Sequence, residues 1–165
     1  MRAPVLLAIL TLCLPQAARA DEWQIARSTD PITDEFSLTA TIYGINKTAF
    51  YFACREHNKT MYFAAGVHVP GASLHGDTKA VRLRLNKAEV KQDELIIHEG
   101  RLLKGADAAM DFFDEVRKAE TFSYDFVDEA RRRFVDYFKP QSSNINQIEL
   151  LKGLRACLER ARKRD

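Results

Sequence analysis

The chain carries no glycine-rich phosphate loop, no G-x-S-x-G turn, and no H-x-H or H-x-x-x-H pair. The first absence removes the backbone cradle that a nucleotide phosphate needs. The second leaves Ser/His/Asp hydrolysis without its exposed nucleophile. The third scatters the four histidines, His57, His68, His75 and His98, over turn, loop and strand-end sequence, whereas a structural zinc ion takes four close ligands. Convergence of His68, His75 and His98 on a metal is therefore the weaker reading beside ordinary surface histidines. Acidic pairs do occur, at Asp30/Asp34, Asp93/Glu94 and Asp128/Glu129. Most fall in expected turns, where Asp bonds nearby backbone, and not in apolar surroundings that push two carboxyl pKa values apart. No catalytic residue, metal or cofactor is expected, and the chain reads as no enzyme.

Repeats, low-complexity tracts and interdomain linkers are also missing, which leaves a single β-rich domain over residues 21–165. Ahead of it, Arg2, the short apolar run 4–14 and Ala18-Arg19-Ala20 read as a secretory signal peptide over residues 1–20, cut before Asp21. The run is too short to span a bilayer as a helix. Leu12 before Cys13 is not the small residue a lipid anchor wants, so no membrane insertion is expected after cleavage. The leader holds two of the 25 basic residues and none of the 23 acidic ones, so the remainder is formally neutral. Neutrality gives no support to a nucleic-acid or membrane-surface role.

Cysteine is scarce, with three in the chain. Loss of Cys13 with the leader leaves Cys54 and Cys157 in an oxidising compartment, which favours a disulfide between them over two buried thiols. Cys54 sits in 49–63, two aromatic-rich runs around the polar cluster 56–59, a β-hairpin pattern with turn chemistry at His57 and Asn58. Cys54 shares a strand face with Phe50 and Phe52.

The rest of the pattern is mostly strand. Residues 22–27 around Trp23 and Ile25 read as a first strand, followed by a turn at 28–31. Phe36, Leu38, Ala40 and Ile42 alternate with polar residues, as a half-buried antiparallel strand does. Residues 44–47 turn, 68–77 form the longest unpatterned loop, and 78–85 alternate again with Val81, Leu83 and Leu85 inward. Short strands are expected at 89–92 and 95–98. Asp107 is the expected cap of a short helix with Ala109, Phe112, Phe113 and Val116 as its stripe. Residues 121–138 are ambiguous: Val127, Ala130, Phe134 and Phe138 would line one face of a helix, while strands at 121–126 and 131–138 would make a hairpin. After Pro140, Asn144 and Gln147 form a capping-box variant. Leu150, Leu151, Leu154, Cys157, Leu158 and Ala161 then fall on one side of a helix, and 160–164 form a basic end expected to fray. The sequons at Asn46-Lys47-Thr48 and Asn58-Lys59-Thr60 read as turns.

Several motifs recur in a recognisable order. Trp23, Ser28 and Asp30-Pro31-Ile32-Thr33-Asp34 precede an alternating strand; Ala53-Cys54-Arg55-Glu56, Asn58-Lys59-Thr60 and Tyr62 follow. Then come Val81-Arg82-Leu83-Arg84-Leu85-Asn86 and Leu154-Arg155-Ala156-Cys157. This order, from Trp23 to Cys157, resembles the VasI-type family of small exported proteins associated with bacterial type VI secretion. The family's tryptophan near 90–95 and its glycine-rich turn before Cys157 are absent. The resemblance implies a compact, mainly β domain with matching cysteines, a hairpin at 119–138 and a closing helix. The expected fold is a small antiparallel β-sandwich or β-rich α+β domain, with a short helix before the last hairpin and a C-terminal helix packed on the sheet.

The expected function is a non-enzymatic periplasmic accessory that binds another periplasmic or secretion-apparatus protein. The alternative is an inhibitor or immunity protein that blocks a hydrolase or toxin with a loop such as 68–77. The candidate partner-binding residues are Arg131, Arg132, Arg133 and Tyr137, with Arg82 and Arg84 nearby. Basic residues interleaved with aromatics suit an acidic protein surface; a solvated strand face is the plainer reading.

Overall fold

The structure, a computed structural model, describes residues 22–141 and 144–162, so the leader, Cys13 and the cleavage site lie outside the described residues. The chain order is β1 (Gln24–Thr29), β2 (Phe36–Tyr43), β3 (Ala49–His57), β4 (Thr60–His68), β5 (Thr78–Leu85), β6 (Lys91–His98), β7 (Arg101–Lys104), α1 (Ala106–Lys118), β8 (Phe122–Val127), β9 (Arg133–Phe138) and α2 (Asn144–Arg162). All nine strands join one antiparallel sheet in the order β1-β2-β3-β4-β7-β6-β5-β8-β9. The fold is therefore the β-rich α+β form, with one sheet in place of a sandwich's two. The β5–β6 hairpin enters between β4 and β8, and β7 stitches it to β4.

The sheet curls around α1. Phe50 on β3 meets Phe122 on β8 at 5.3 Å between ring centroids, although four strands separate β3 from β8 in the sheet order. Phe113 of α1 stacks on Phe52 at 4.3 Å and takes the edge of Trp23 at 5.6 Å. At the rim the two halves meet directly: the Trp23 indole N–H donates to the Pro140 carbonyl at 2.9 Å. Ala109, Phe112, Phe113 and Val116 are all buried, as their helical spacing predicts.

The β2 alternation holds, with Phe36, Leu38, Ala40 and Ile42 buried. On β3 both faces are covered at Ala49–Phe52. Phe50, Phe52 and Cys54 face the helices, while Tyr51 lies opposite Gly66 on the outer face, with the Arg101 guanidinium 5.4 Å from its ring. Aromatic cover of a cross-strand glycine is a known sheet device. The hairpin turns one residue later than its composition suggests, at Asn58-Lys59, whose φ values of 49° and 66° make a two-residue primed turn.

Other boundaries moved. The first strand starts at Gln24 and runs through Ser28 and Thr29, so the turn falls at 31–33. The two short strands expected at 89–92 and 95–98 are one strand, β6, because the polar step Asp93-Glu94 stays in register, with Asp93 held by Lys104. β7 was not anticipated; its four residues follow a turn at Glu99-Gly100, with φ of 48° and 72°. Residues 121–138 are a hairpin, as the resemblance implied, and not a helix. Local periodicity lost because alternate residues of β8 pack on rings of the adjacent strand β9, Phe122 stacked on Phe138, Phe126 stacked on Phe134 and Tyr124 tilted against Phe138. The residue capping α1 is Gly105, without a side-chain bond, and Asp107 lies inside the helix.

α2 packs on the same face of the sheet as α1. Its buried stripe is narrower than expected: Leu150, Gly153, Leu154 and Cys157 face inward, whereas Leu151 and Leu158 are 47% and 40% exposed. Gly153 allows the close approach, since a Cβ there would stand 2.8 Å from Leu38 Cδ1. The Cys54–Cys157 disulfide joins helix to sheet, with Cα atoms 6.4 Å apart. Both ends are tied as well: Arg27 meets Glu149 at 2.9 Å, and Arg160 meets the buried Glu56 at 3.0 Å with its guanidinium 5.1 Å from the Phe36 ring. Arg160 is thus anchored, contrary to the expected fraying. The side chains of Asn144 and Gln147 lie outside the described residues.

Candidate partner-binding surface

The arginine run ends the β8–β9 connection and opens β9 at Arg133, and each member does something different. Arg131 sits at the tip with φ of 60° and is exposed. Arg132 folds back: its Nε and Nη2 donate to the Asp128 carboxylate at 3.0 and 2.7 Å, and Nη2 also to the Gly71 carbonyl at 2.6 Å. Arg133 joins Arg82 on Asp125, so one carboxylate bridges two guanidiniums across β5, β8 and β9. That geometry holds the Asp125 carboxyl below the usual range, through the Arg133 hydrogen bond first and against the cost of burial, and raises Arg133 in turn. Arg84 leaves the cluster and donates to the Ala88 carbonyl at 3.0 Å. Tyr137 is half-buried under Lys139, whose Nζ lies 5.9 Å from the ring centre.

Asp128 makes the tip rigid. Burial opposes its ionisation, but the Ser73 and Arg132 amides and the Arg132 guanidinium overcome that and hold its pKa down at about 2. The Ser73 amide donates to it at 3.0 Å, the Glu129 amide returns a bond to the Ser73 carbonyl, and Lys79 meets Glu129 at 2.8 Å. The loop after His68 is therefore latched to the β8–β9 tip. In the first acidic pair, Asp30 accepts from the Thr33 and Ile32 amides, which lower its pKa.

Sequence reasoning missed the ground next to this tip. Asp136, buried in an aromatic strand run, accepts from the Asn46 amide at 3.0 Å, the Thr48 amide at 3.3 Å, the Tyr137 amide at 2.7 Å and the Thr48 hydroxyl. This pins the β2–β3 turn to β9. A Cβ on Gly44 would stand 2.5 Å from the Asp136 carboxyl, so only glycine fits the approach. The signal in the sequence was an Asp flanked by Phe134, Val135, Tyr137 and Phe138, a position where a buried carboxylate needs donors. Beside the pin lies a cavity of about 390 Å³ lined by Lys47, Val69, Pro70, Tyr124, Arg133 and Phe134, among others. The Tyr124 hydroxyl is buried next to Thr48 and Asp136 with no hydrogen bond of normal geometry, and burial pushes the phenol up.

The geometry thus joins Arg133, Phe134, the exposed Lys47 and the start of the latched loop around one cavity, while the exposed Arg131 sits at the tip two residues before Arg133. It can hold an apolar side chain beside the Lys47 ammonium and the Arg133 guanidinium. Elsewhere, His57 lies 3.6 Å from Glu35, His75 bonds the Ser73 hydroxyl, and His68 and His98 flank Arg101 on neighbouring strands. Among the described residues no three His, Cys, Asp or Glu side chains form a group that could hold a metal ion. No helix among them is long and apolar enough to cross a membrane. No known protein family, no curated protein and no solved structure matches the chain.

Proposed function

We propose that this is an exported, non-enzymatic protein that binds an acidic surface of another protein with the end formed by the β8–β9 tip, the latched loop and the adjoining cavity. The observation that carries the reading is a cavity of about 390 Å³ that combines apolar lining with the exposed Lys47 and Arg133, two residues after the exposed Arg131 of the tip. Charge of one sign around an apolar pocket steers an oppositely charged partner and gives it an anchor point. The resemblance of the ordered motifs to the VasI-type family motivates an accessory role in a type VI secretion apparatus, in the periplasm. A second reading, an inhibitor or immunity protein, draws on the fastening of the loop by Asp128 and Arg132. A pre-organised loop loses less entropy when it enters a hydrolase cleft.

The test is affinity capture from periplasmic extract with the wild-type protein and with Arg131→Ser combined with Arg133→Ser. Arg132 is left in place because it holds the latch. The proposal expects an acidic protein that is recovered less by the variant, with a flatter salt dependence. Equal recovery by both proteins across salt concentrations would refute it. A captured hydrolase whose activity falls on binding would favour the second reading.

A further inference from the structure

We infer that the groove between α1 and strands β5–β7 is a second docking site, fitted to a basic amphipathic segment of a partner protein. The groove has a volume of about 280 Å³ and is walled by Leu83, Leu85, Phe112 and Phe122. That is nearly twice the roughly 150 Å³ apolar cavity that accepts benzene, so one aromatic or large aliphatic side chain fits. The rim carries Glu89, Asp111 and Glu115. Asp111 and Glu115 stand one helical turn apart at exposed positions of α1, a spacing at which like charges repel. The neighbouring acids are treated differently: Asp114 is clasped by Arg117 and Lys118, and Asp93 by Lys104. No ion pair neutralises Glu89, Asp111 or Glu115 among the described residues, where Lys91 is the one unpaired cation lining the groove. An apolar floor under uncompensated carboxylates matches an apolar anchor flanked by Lys or Arg.

This site is independent of the basic tip. Phe122 opens β8 at the groove, whereas the tip follows Val127 at the other end of the strand. Six strand residues put about 20 Å between them. The two ends carry opposite charge, and either can fail alone.

The probe is a fluorescein-labelled peptide alternating lysine with phenylalanine and leucine, titrated by anisotropy against the disulfide-bonded protein at low salt. Binding should weaken about tenfold in Asp111→Asn with Glu115→Gln, from two partly screened ion pairs. It should be lost in Ala108→Trp, which fills the groove. Glu89→Gln, in an exposed turn, should weaken binding about threefold without touching the helix, and decides the matter if the tryptophan variant fails to fold. Absence of binding, equal affinity for the glutamate-containing analogue, or indifference to the carboxylate substitutions would overturn the inference. Phenylpropylammonium competing as strongly as the peptide would reassign the groove to small amines and overturn the peptide partner.

Discussion

Replacing Cys54 with Ser should cost the protein a large part of its stability. The bridge closes a loop over a sequence separation of 103 residues. In the chain-entropy treatment that restriction is worth about 4.7 kcal/mol, and native bridges in small secreted domains deliver roughly 2–5 kcal/mol. A domain of this size has only about 5–15 kcal/mol in total. Helix α2 would not simply detach, because Leu150 and Leu154 stay buried, each worth roughly 1.5–3 kcal/mol. Its ends also keep the Arg27–Glu149 and Arg160–Glu56 pairs. With a urea slope of about 2 kcal/mol per molar, the midpoint should fall by about 1–2.5 M. Trp23, the single tryptophan, is 1% exposed against Phe50 and Phe113 and reports the transition by fluorescence. Cys54→Ser combined with Cys157→Ser should be no worse than either change alone, since both remove one interaction. Both cysteines are fully buried, so reductant should reach the bridge only through opening, and the reduction rate should track unfolding. Superimposable urea curves for wild type and Cys54→Ser would refute the reasoning.

Other expectations follow from close contacts and buried carboxylates. Gly153→Ala places a methyl 2.8 Å from Leu38 and should destabilise by about 1–3 kcal/mol as overpacking, seen in thermal melts. Asp136→Ala strands the buried amide and hydroxyl of Thr48 and should cost several kcal/mol, about 1–3 for each unsatisfied group; hydrogen exchange at Thr48 should accelerate. Asp128 has a folded pKa lowered to about 2 from 3.8, so its stabilisation is complete above the unfolded value and lost as pH falls toward 2. Exchange at the Ser73 amide, followed by NMR down that range, should rise in wild type, and Asp128→Asn should show no such titration.

How far the sequence could be read depended on the range of the forces involved. β2, β5 and the α1 stripe were legible because alternation or helical spacing records which side is buried. The bridge was legible because, with Cys13 read as part of a leader, Cys54 and Cys157 left one pairing. At residues 121–138 local periodicity alone pointed to a helix while the resemblance implied the hairpin that is found, because the ring contacts that favour strands, notably Phe138 on Phe122, form only once β8 pairs with β9. Leu151 and Leu158 misled because Gly153 sets how α2 sits on β2, which narrows the buried stripe. At the candidate surface the sequence marked the arginines but not their division of labour. Only the folded chain shows Arg132 spent on Asp128, Arg133 shared with Arg82, and Asp136 pinning a turn that lies 88 residues earlier at Thr48.

The most direct test of the binding account is hydrogen exchange on the complex with the captured acidic partner. Protection should concentrate in residues 69–77 and 127–135 and at Lys47, with the outer face of β2–β4 unchanged. Protection confined to that outer face, or to α2, would contradict a docking site at the basic tip.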